Sequence, residues 1–377
     1  MTPPSPSVSS AFCSARRMGN IDLTKRSRRS EKSLVHLPPI EPAGDAPLPL
    51  IALAEGWGGA VASAQLCNGG GNNRVYRILT RDGLVAGKFY GSGPDERDRL
   101  GHEFDGLSFL KAAGIGSALP SPLTDDRREH CALYEWVEGA RAADHGPADI
   151  AAVVALLTAI HDARNAAAAI RLPLATEAVL CPTNLFEQIE RRLARLSAVA
   201  TSEPALADFI ASELRPEIER RMRALDDSDA DAALPPGSRT LSPSDFGFHN
   251  ALRRPDGALT FIDFEYFGWD DPVKLCSDFL WHPAMELSIG EREAFAHGVT
   301  HLYGREASFS ARFAACFPLY GIRWILIILN EFVPQLWARR AFAGKGADWE
   351  AAKREQLAKA RTMLETLLPY REGLFHK

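Results

Sequence analysis

The sequence predicts an α+β protein of two lobes, a small β-rich lobe followed by a larger, mainly helical one. Three observations predict it. Between residues 61 and 90, short apolar runs alternate with turn-forming Gly, Asn and Asp, the pattern of consecutive strands. From Pro147 onward the chain becomes Ala- and Leu-rich with apolar residues at helical spacing. At 377 residues, 46% hydrophobic and 24% charged, it can bury a large core or two lobes that share a cleft.

Charge excludes some classes. The formal net charge of −5 carries no nucleic-acid signal. It is uneven: residues 1–35 hold seven Lys/Arg against Asp22 and Glu31, leaving an acidic remainder. Residues 1–48, rich in Ser, Pro and Arg, read as a disordered tail without the apolar core of a secretory signal. The six cysteines are scattered with no C-x-x-C pair, which disfavours zinc and disulfides and fits a reducing cytoplasm. Phe313–Val333 is the one candidate membrane span, but Pro318, Arg323, Asn330 and Glu331 make it a buried helix rather than a span.

The first lobe is placed at residues 49–138. Val61–Leu66, Val75–Leu79 and Leu84–Tyr90 read as strands. The glycine-rich turn between the first two includes Gly70, Gly71, Asn72 and Asn73, where backbone N–H groups could approach a phosphate. It does not match G-x-x-x-x-G-K-[ST] and opens no helix, so it is neither a P-loop nor a dinucleotide fold. Lys88 lies mid-strand among apolar neighbours and calls for a partner. The helix expected over Asp95–Ala113 supplies one: Glu103 shares a face with Leu107 and Leu110, so it points coreward. A Lys88–Glu103 pair would aim the ammonium at nucleotide phosphates. Cys131–Gly139 is an apolar strand running into a connector, where backbone groups of Glu135 and Val137 could bind an adenine; a plain core strand reads the same.

The second lobe, 139–377, is expected to carry helices at 148–170, 184–199 and 205–225, then about 273–287, 291–303, 306–333 and 347–369. Between the two groups lies Ser242–Asp263, SPSDFGFHNALRRPDGALTFID. Pro255-Asp256-Gly257 is a strong turn signal, flanked by strands Ala251–Arg254 and Ala258–Ile262. A two-residue turn at Asp256-Gly257 would set Asn250 directly opposite Asp263, within reach of one cation, with Asp245 on the loop before them. Two oxygen ligands plus a separate carboxylate suit Mg²⁺-assisted phosphoryl transfer: Asn250 and Asp263 on the metal, Asp245 accepting the proton of a hydroxyl. Taken alone, the pattern also describes a surface hairpin with solvated carboxylates. The nearby acids Glu265, Asp270 and Asp271 would suit a cationic acceptor, although acids are expected near Mg²⁺ in any case. Asp278 is a candidate brace for the Asp245 loop, and Arg323, Asn330 and Glu331 read as satisfied core polars in preference to a pocket lining.

With these residues in hand, the chain resembles the aminoglycoside phosphotransferase and choline kinase family, whose fold is protein-kinase-like. The likeness runs from about residue 60 to 340 through GGGNNRVYRI, VAGKFY, HEFDGLSFL, YEWVEG, LTAIHDAR, SDFGFHNAL and FIDFEYFGWDDP. It implies a small-molecule kinase that uses ATP, with GTP as the alternative donor, and Mg²⁺. It also implies the same roles for Lys88, Glu103, Asp245, Asn250 and Asp263, and an acceptor such as an aminoglycoside, amino alcohol or sugar. One position departs: the family commonly has His two residues before the catalytic Asp, and here it is Pro243. That departure keeps a nucleotide-binding module without turnover as the alternative.

Overall fold

Five antiparallel strands, in the order β1-β2-β3-β5-β4, form the sheet of the first lobe: β1 (Val61–Cys67), β2 (Asn73–Thr80), β3 (Gly83–Tyr90), β4 (Pro122–Asp126) and β5 (Cys131–Glu135). The computed structural model describes residues 45–67, 73–91, 97–226, 233–306, 308–342 and 348–369. The basic tail up to residue 44 and the turn residues Gly70, Gly71 and Asn72 lie outside the described residues.

Alternation along β3 sends Val85, Gly87 and Phe89 to one face of the sheet and Ala86, Lys88 and Tyr90 to the other. The first face is covered by helix α1 (Leu48–Gly58), which the sequence reading placed partly in the tail. Leu50 and Ala54 of α1 pack there on Tyr76, Ile78, Val85 and Leu133. Gly87 permits this approach, since a Cβ there would lie 2.5 Å from Ile78 Cδ1 and 3.1 Å from a Leu50 methyl. The second face looks into the cleft, and α2 (Arg99–Ala112) lies against it. Asp98 caps α2 by accepting from the Gly101 N–H at 2.8 Å.

A short strand β6 (Ala140–Arg141) leads into the second lobe, through α3 (Pro147–Ala163) and α4 (Pro182–Ala200) to α5 (Pro204–Asp208) and α6 (Arg215–Asp226). α3 ends well before Ile170 because Arg164 and Asn165 turn their side chains back onto the carbonyls of His161 (2.7 Å) and Asp162 (3.2 Å). Strand β7 (Thr240–Ser242) then precedes the hairpin β8 (Ala251–Arg253) and β9 (Leu259–Phe261), and β10 (Gly268–Asp270) pairs back onto β7.

Helices α7 (Pro272–Trp281), α8 (Ile289–Tyr303), α9 (Phe309–Ile328), α10 (Pro334–Phe342) and α11 (Trp349–Leu367) complete the lobe. Every residue of α7 is buried. α9 lies at its side, with Trp281 stacked on Phe317 at 4.8 Å and donating its indole N–H to the Phe317 carbonyl at 2.9 Å. The stretch Phe309–Phe332 is long and apolar enough to cross a membrane, yet 72% of its most apolar window is buried inside the protein, as a core helix requires.

The hairpin differs from expectation by one residue. Its register pairs Ala251 with Phe261, Leu252 with Thr260 and Arg253 with Leu259. The Arg254 N–H donates to Ala258 O at 2.9 Å and the Gly257 N–H to Arg254 O at 2.9 Å, with Gly257 at φ 86°. The loop therefore has three residues. Pro255 presets the first corner of a type I turn, and that turn needs a left-handed residue, Gly257, to return the chain to the strand. Asn250 thus faces Ile262, whose N–H it accepts at 2.9 Å, and not Asp263.

Candidate active site

Lys88 Nζ lies 2.6 Å from Glu103 Oε2 and 2.5 Å from Asp263 Oδ1. Both members of the Lys88–Glu103 pair are buried. Burial alone would favour neutral Lys88, but the carboxylates of Asp263, Glu103 and Glu265 outweigh it and hold the ammonium well above the usual lysine range. The pair is itself anchored: Tyr90 donates its hydroxyl to Glu103 Oε2 at 2.7 Å and lies 2.7 Å from the Tyr134 hydroxyl. One strand and one helix thus fix a cation at the wall of the cleft.

Asp263 follows β9 with φ 68°, a left-handed conformation that lifts its carboxylate out of the strand direction; its side chain is 38% exposed. This bend brings Asp263 to Lys88 even though the hairpin register does not face it to Asn250. Two residues on, Glu265 is buried and accepts from the Asn73 side-chain amide. Asn73 is therefore the first residue of β2 with its side chain committed to Glu265, where the sequence suggested a phosphate-binding turn.

Asp245 stands between two aromatic anchors. Phe246 and Phe248 are buried, Phe246 at 4.8 Å from the Phe261 ring and Phe248 stacked at 4.3 Å on His145. With those rings drawn into the core, the Asp245 side chain is left 38% exposed at the cleft. His249 Nε2 lies 2.9 Å from its Oδ1 and His282 Nε2 lies 3.7 Å away, the two imidazoles stacked at 3.8 Å. Burial works to raise the Asp245 pKa, but the His249 hydrogen bond and the charges of His249, His282 and Lys274 outweigh it and hold the carboxyl below its ordinary value. Asn250 Nδ2 donates to the Asp245 carbonyl at 3.0 Å. A planar amide so held turns Oδ1 away from that carbonyl.

The loop before Asp245 is braced by a residue that the sequence reading did not single out. Lys274 of α7 is fully buried, 2.9 Å from Asp270 Oδ2 and 3.3 Å from Asp278 Oδ2. It donates to Ser244 Oγ at 3.2 Å, and Ser244 sits at φ 66° with its N–H on Ser242 Oγ at 3.0 Å. Asp278 therefore does brace the loop, but through Lys274, and is itself fixed by Arg323 (2.7 Å) and the Trp324 indole (2.9 Å). The signal was present in the sequence as Asp270, Lys274 and Asp278, at i, i+4 and i+8. His249 and His282 carried no such spacing, and only the fold brings them together.

One cavity of about 480 Å³ between the lobes is lined by Lys88, Glu103, Asn73, Asp245, Asn250 and Asp263 together with Ala86, Tyr134, Glu135 and Val137. The acids that the sequence offered to a cationic acceptor have internal partners. Asp270 accepts the Val179 N–H at 2.9 Å besides pairing with Lys274, and Asp271 caps α7 and pairs with Arg312 at 3.0 Å.

The profile of the phosphotransferase enzyme family matches residues 63–315, and the chain belongs to that family. It is an enzyme of the class that transfers a phosphoryl group to a hydroxyl of a small molecule. Among solved structures it is similar to a spectinomycin phosphotransferase in complex with ADP and spectinomycin, at 12% identity and TM-score 0.59, covering 85% of this chain and 97% of that one. It is also similar to an ethanolamine kinase of Plasmodium vivax (14% identity, TM-score 0.52, 81% and 83% covered). A third likeness is to the choline kinase LicA of Streptococcus pneumoniae in complex with AMP (18%, 0.51, 82% and 93%). At these identities the likeness shows a shared fold, the protein-kinase-like one. No curated protein matches the sequence.

Proposed function

We propose that this phosphotransferase moves the γ-phosphoryl group of ATP to a hydroxyl of a small molecule with the help of Mg²⁺. The observation that carries the reading is the convergence of the Lys88–Glu103 pair, Asp263, Asn250 and the exposed carboxylate of Asp245 on a single cavity. The first lobe, residues 49–138, would hold the nucleotide and the second, 139–377, the acceptor. Because the Glu135 N–H already donates to Ser121 O at 2.8 Å, a base would be read there by the Glu135 carbonyl and by Val137.

Asp263 and the Asn250 amide oxygen are hard oxygen donors of the kind Mg²⁺ takes and would hold the ion. The ion would neutralise phosphate charge; the residues do the rest. Lys88, steadied by Glu103, would turn its ammonium from Asp263 to the phosphates. Asp245, kept ionised by His249, would accept the proton of the acceptor hydroxyl as that oxygen bonds to the γ-phosphorus. The bond from the γ-phosphorus to the β,γ-bridging oxygen breaks, and ADP leaves with the electron pair. Positioning and charge complementarity supply most of the acceleration. The described cysteines are free thiols, in keeping with a cytoplasmic enzyme.

Transfer of label from γ-³²P-ATP to a panel of hydroxyl compounds tests the reading. Asp245→Ala should lower the rate roughly 10²–10⁴-fold, the usual worth of a general base, and leave ATP affinity within about twofold. Full activity in Asp245→Ala would remove Asp245 from its role. Nucleotide binding without transfer to any acceptor would favour the binding module that Pro243 raised as the alternative.

A further inference from the structure

Pro243 brings no side-chain nitrogen to Asp245, and two histidines from other positions do. A carboxylate only accepts, so His249 Nε2 donates to Oδ1 at 2.9 Å. His282 Nε2 stands 3.7 Å from the same oxygen, too far for a hydrogen bond. Both imidazoles therefore lie on the Oδ1 side. Oδ2 has no hydrogen-bond partner among the described residues, and the side chain lines the cleft cavity.

The terminal torsions of Asp and His are broad and roughly two-fold, so a carboxylate or an imidazole takes its orientation from what touches it. Asp245 takes its orientation from His249. His249 has only that one hydrogen bond among the described residues, and its Nδ1 is buried without a partner. A bond on the second ring nitrogen is the usual way to fix an imidazole. Here a ring face does it: His282 lies against His249 at 3.8 Å with the two planes 4° apart.

His282 is itself held from several sides. Its N–H donates to Asp278 O at 2.9 Å, the Ala284 N–H donates to its Nδ1 at 3.2 Å, and the Trp324 ring meets it at 4.6 Å, nearly at right angles. Trp324 is set in turn by its indole N–H, given to Asp278 at 2.9 Å. Asp278 thus steadies Asp245 by two routes. One passes beneath the loop through Lys274 and Ser244; the other passes beside the carboxylate through Trp324, His282 and His249.

We propose that His282 is a positioning residue for phosphoryl transfer: acting through the ring of His249, it holds the Asp245 carboxylate with Oδ2 toward the acceptor hydroxyl. This rests on the kinase reading of Asp245 given above. The contribution is the flat face, which limits rotation of the neighbouring ring, and not a bond of His282 to the carboxylate.

The test uses the full chain with Mg²⁺, γ-³²P-ATP and a hydroxyl compound that takes label in the panel above. His282→Leu keeps volume without a flat face, His282→Phe keeps the face without ring nitrogens, and His282→Gln keeps an N–H donor without the face. We expect His282→Leu and His282→Gln to lower kcat about 10–100-fold with KM for ATP within about twofold, and His282→Phe to stay within about threefold of wild type. In a His249→Ala background, His282→Leu should change kcat by less than about twofold, because no ring is left to orient. A merely structural loss would act equally in both backgrounds. Independently of turnover, nitrogen NMR of the His249 ring should place its proton on Nε2 in the wild type and show an average of both tautomers in His282→Leu. Wild-type kcat in His282→Leu, rescue by Gln in place of Phe, or an equal loss with and without His249 would overturn the proposal while leaving the kinase reading intact. A wild type that labels no hydroxyl compound would bring down the kinase reading, and the ring resonances would still decide whether His282 orients His249.

Discussion

Replacing Lys274 by Met isolates the brace beneath the Asp245 loop. The Lys274 side chain is fully buried, as is Asp270, its partner at 2.9 Å; Asp278 stands at 3.3 Å and Ser244 Oγ at 3.2 Å. Met fills similar volume, so packing changes little. The loss is electrostatic: Asp270, already pushed up by burial, loses the ammonium that opposes this shift. Breaking a buried ion pair from one side costs about 3–5 kcal/mol, which for a chain of this size lowers Tm by roughly 4–6 °C. Ser244 is held at φ 66° next to Asp245, a conformation costing about 1–3 kcal/mol that persists only where its surroundings enforce it. Releasing it should misplace Asp245 and reduce kcat on the order of 10–100-fold, with KM for ATP within about twofold. Differential scanning calorimetry and steady-state kinetics read the two effects separately. Adding Asp270→Asn to Lys274→Met should recover part of the stability, because no carboxylate is then left unpaired, and none of the kcat. A single variant with Tm within about 1 °C and kcat within about twofold of wild type would refute the argument that Lys274 does the bracing.

Two further predictions follow from the same physics. Burial pushes the Asp271 carboxyl up to about 6 against the pull of Arg312, so its ionisation opposes folding above that pH. The penalty is complete above the folded-state pKa and vanishes as pH falls below the ordinary aspartate value near 4. Asp271→Asn, which keeps a cap for α7, should therefore gain stability relative to wild type between pH 4 and 7, by about 2–3 kcal/mol in denaturant melts; a difference that does not vary with pH would contradict this. Tyr90→Phe removes the hydroxyl donated to Glu103 at 2.7 Å and should cost about 1.5–3 kcal/mol, with weaker nucleotide binding as Glu103 loosens its hold on Lys88; unchanged melting would show the bond to be idle.

Much of this architecture was legible from short-range pattern. Strand alternation put Ala86 and Lys88 together on one side of β3, and helical spacing put Glu103 on the core side of α2; both statements concern one element each, and the meeting of the two followed from charge. The hairpin was readable as a hairpin, but its register depended on whether the loop held two residues or three. That choice rested on Pro255 fixing a type I corner, and a one-residue error moved Asn250 away from Asp263. Helix α1 was missed because its apolar residues find a partner only in the strand face that follows them. The His249–His282 stack joins residues far apart in the chain, and no local period marks such a meeting. Lys274 was findable: two acids and a lysine at successive i+4 steps stand at the entry to the most buried helix, where an unpaired charge could not persist.

The central claim is that Asp263 and Asn250 form, with Lys88, a Mg²⁺-dependent nucleotide site in front of Asp245. It is tested most directly by thermal melts of wild type and Asp263→Ala with ATP, GTP and ADP, each with and without Mg²⁺. The account predicts stabilisation of the wild type by Mg²⁺·nucleotide, about 2.7 kcal/mol at a hundred times Kd, lost when either the metal or the Asp263 carboxylate is removed. Nucleotide stabilisation of equal size in Asp263→Ala, or none in the wild type at saturating nucleotide, would contradict it.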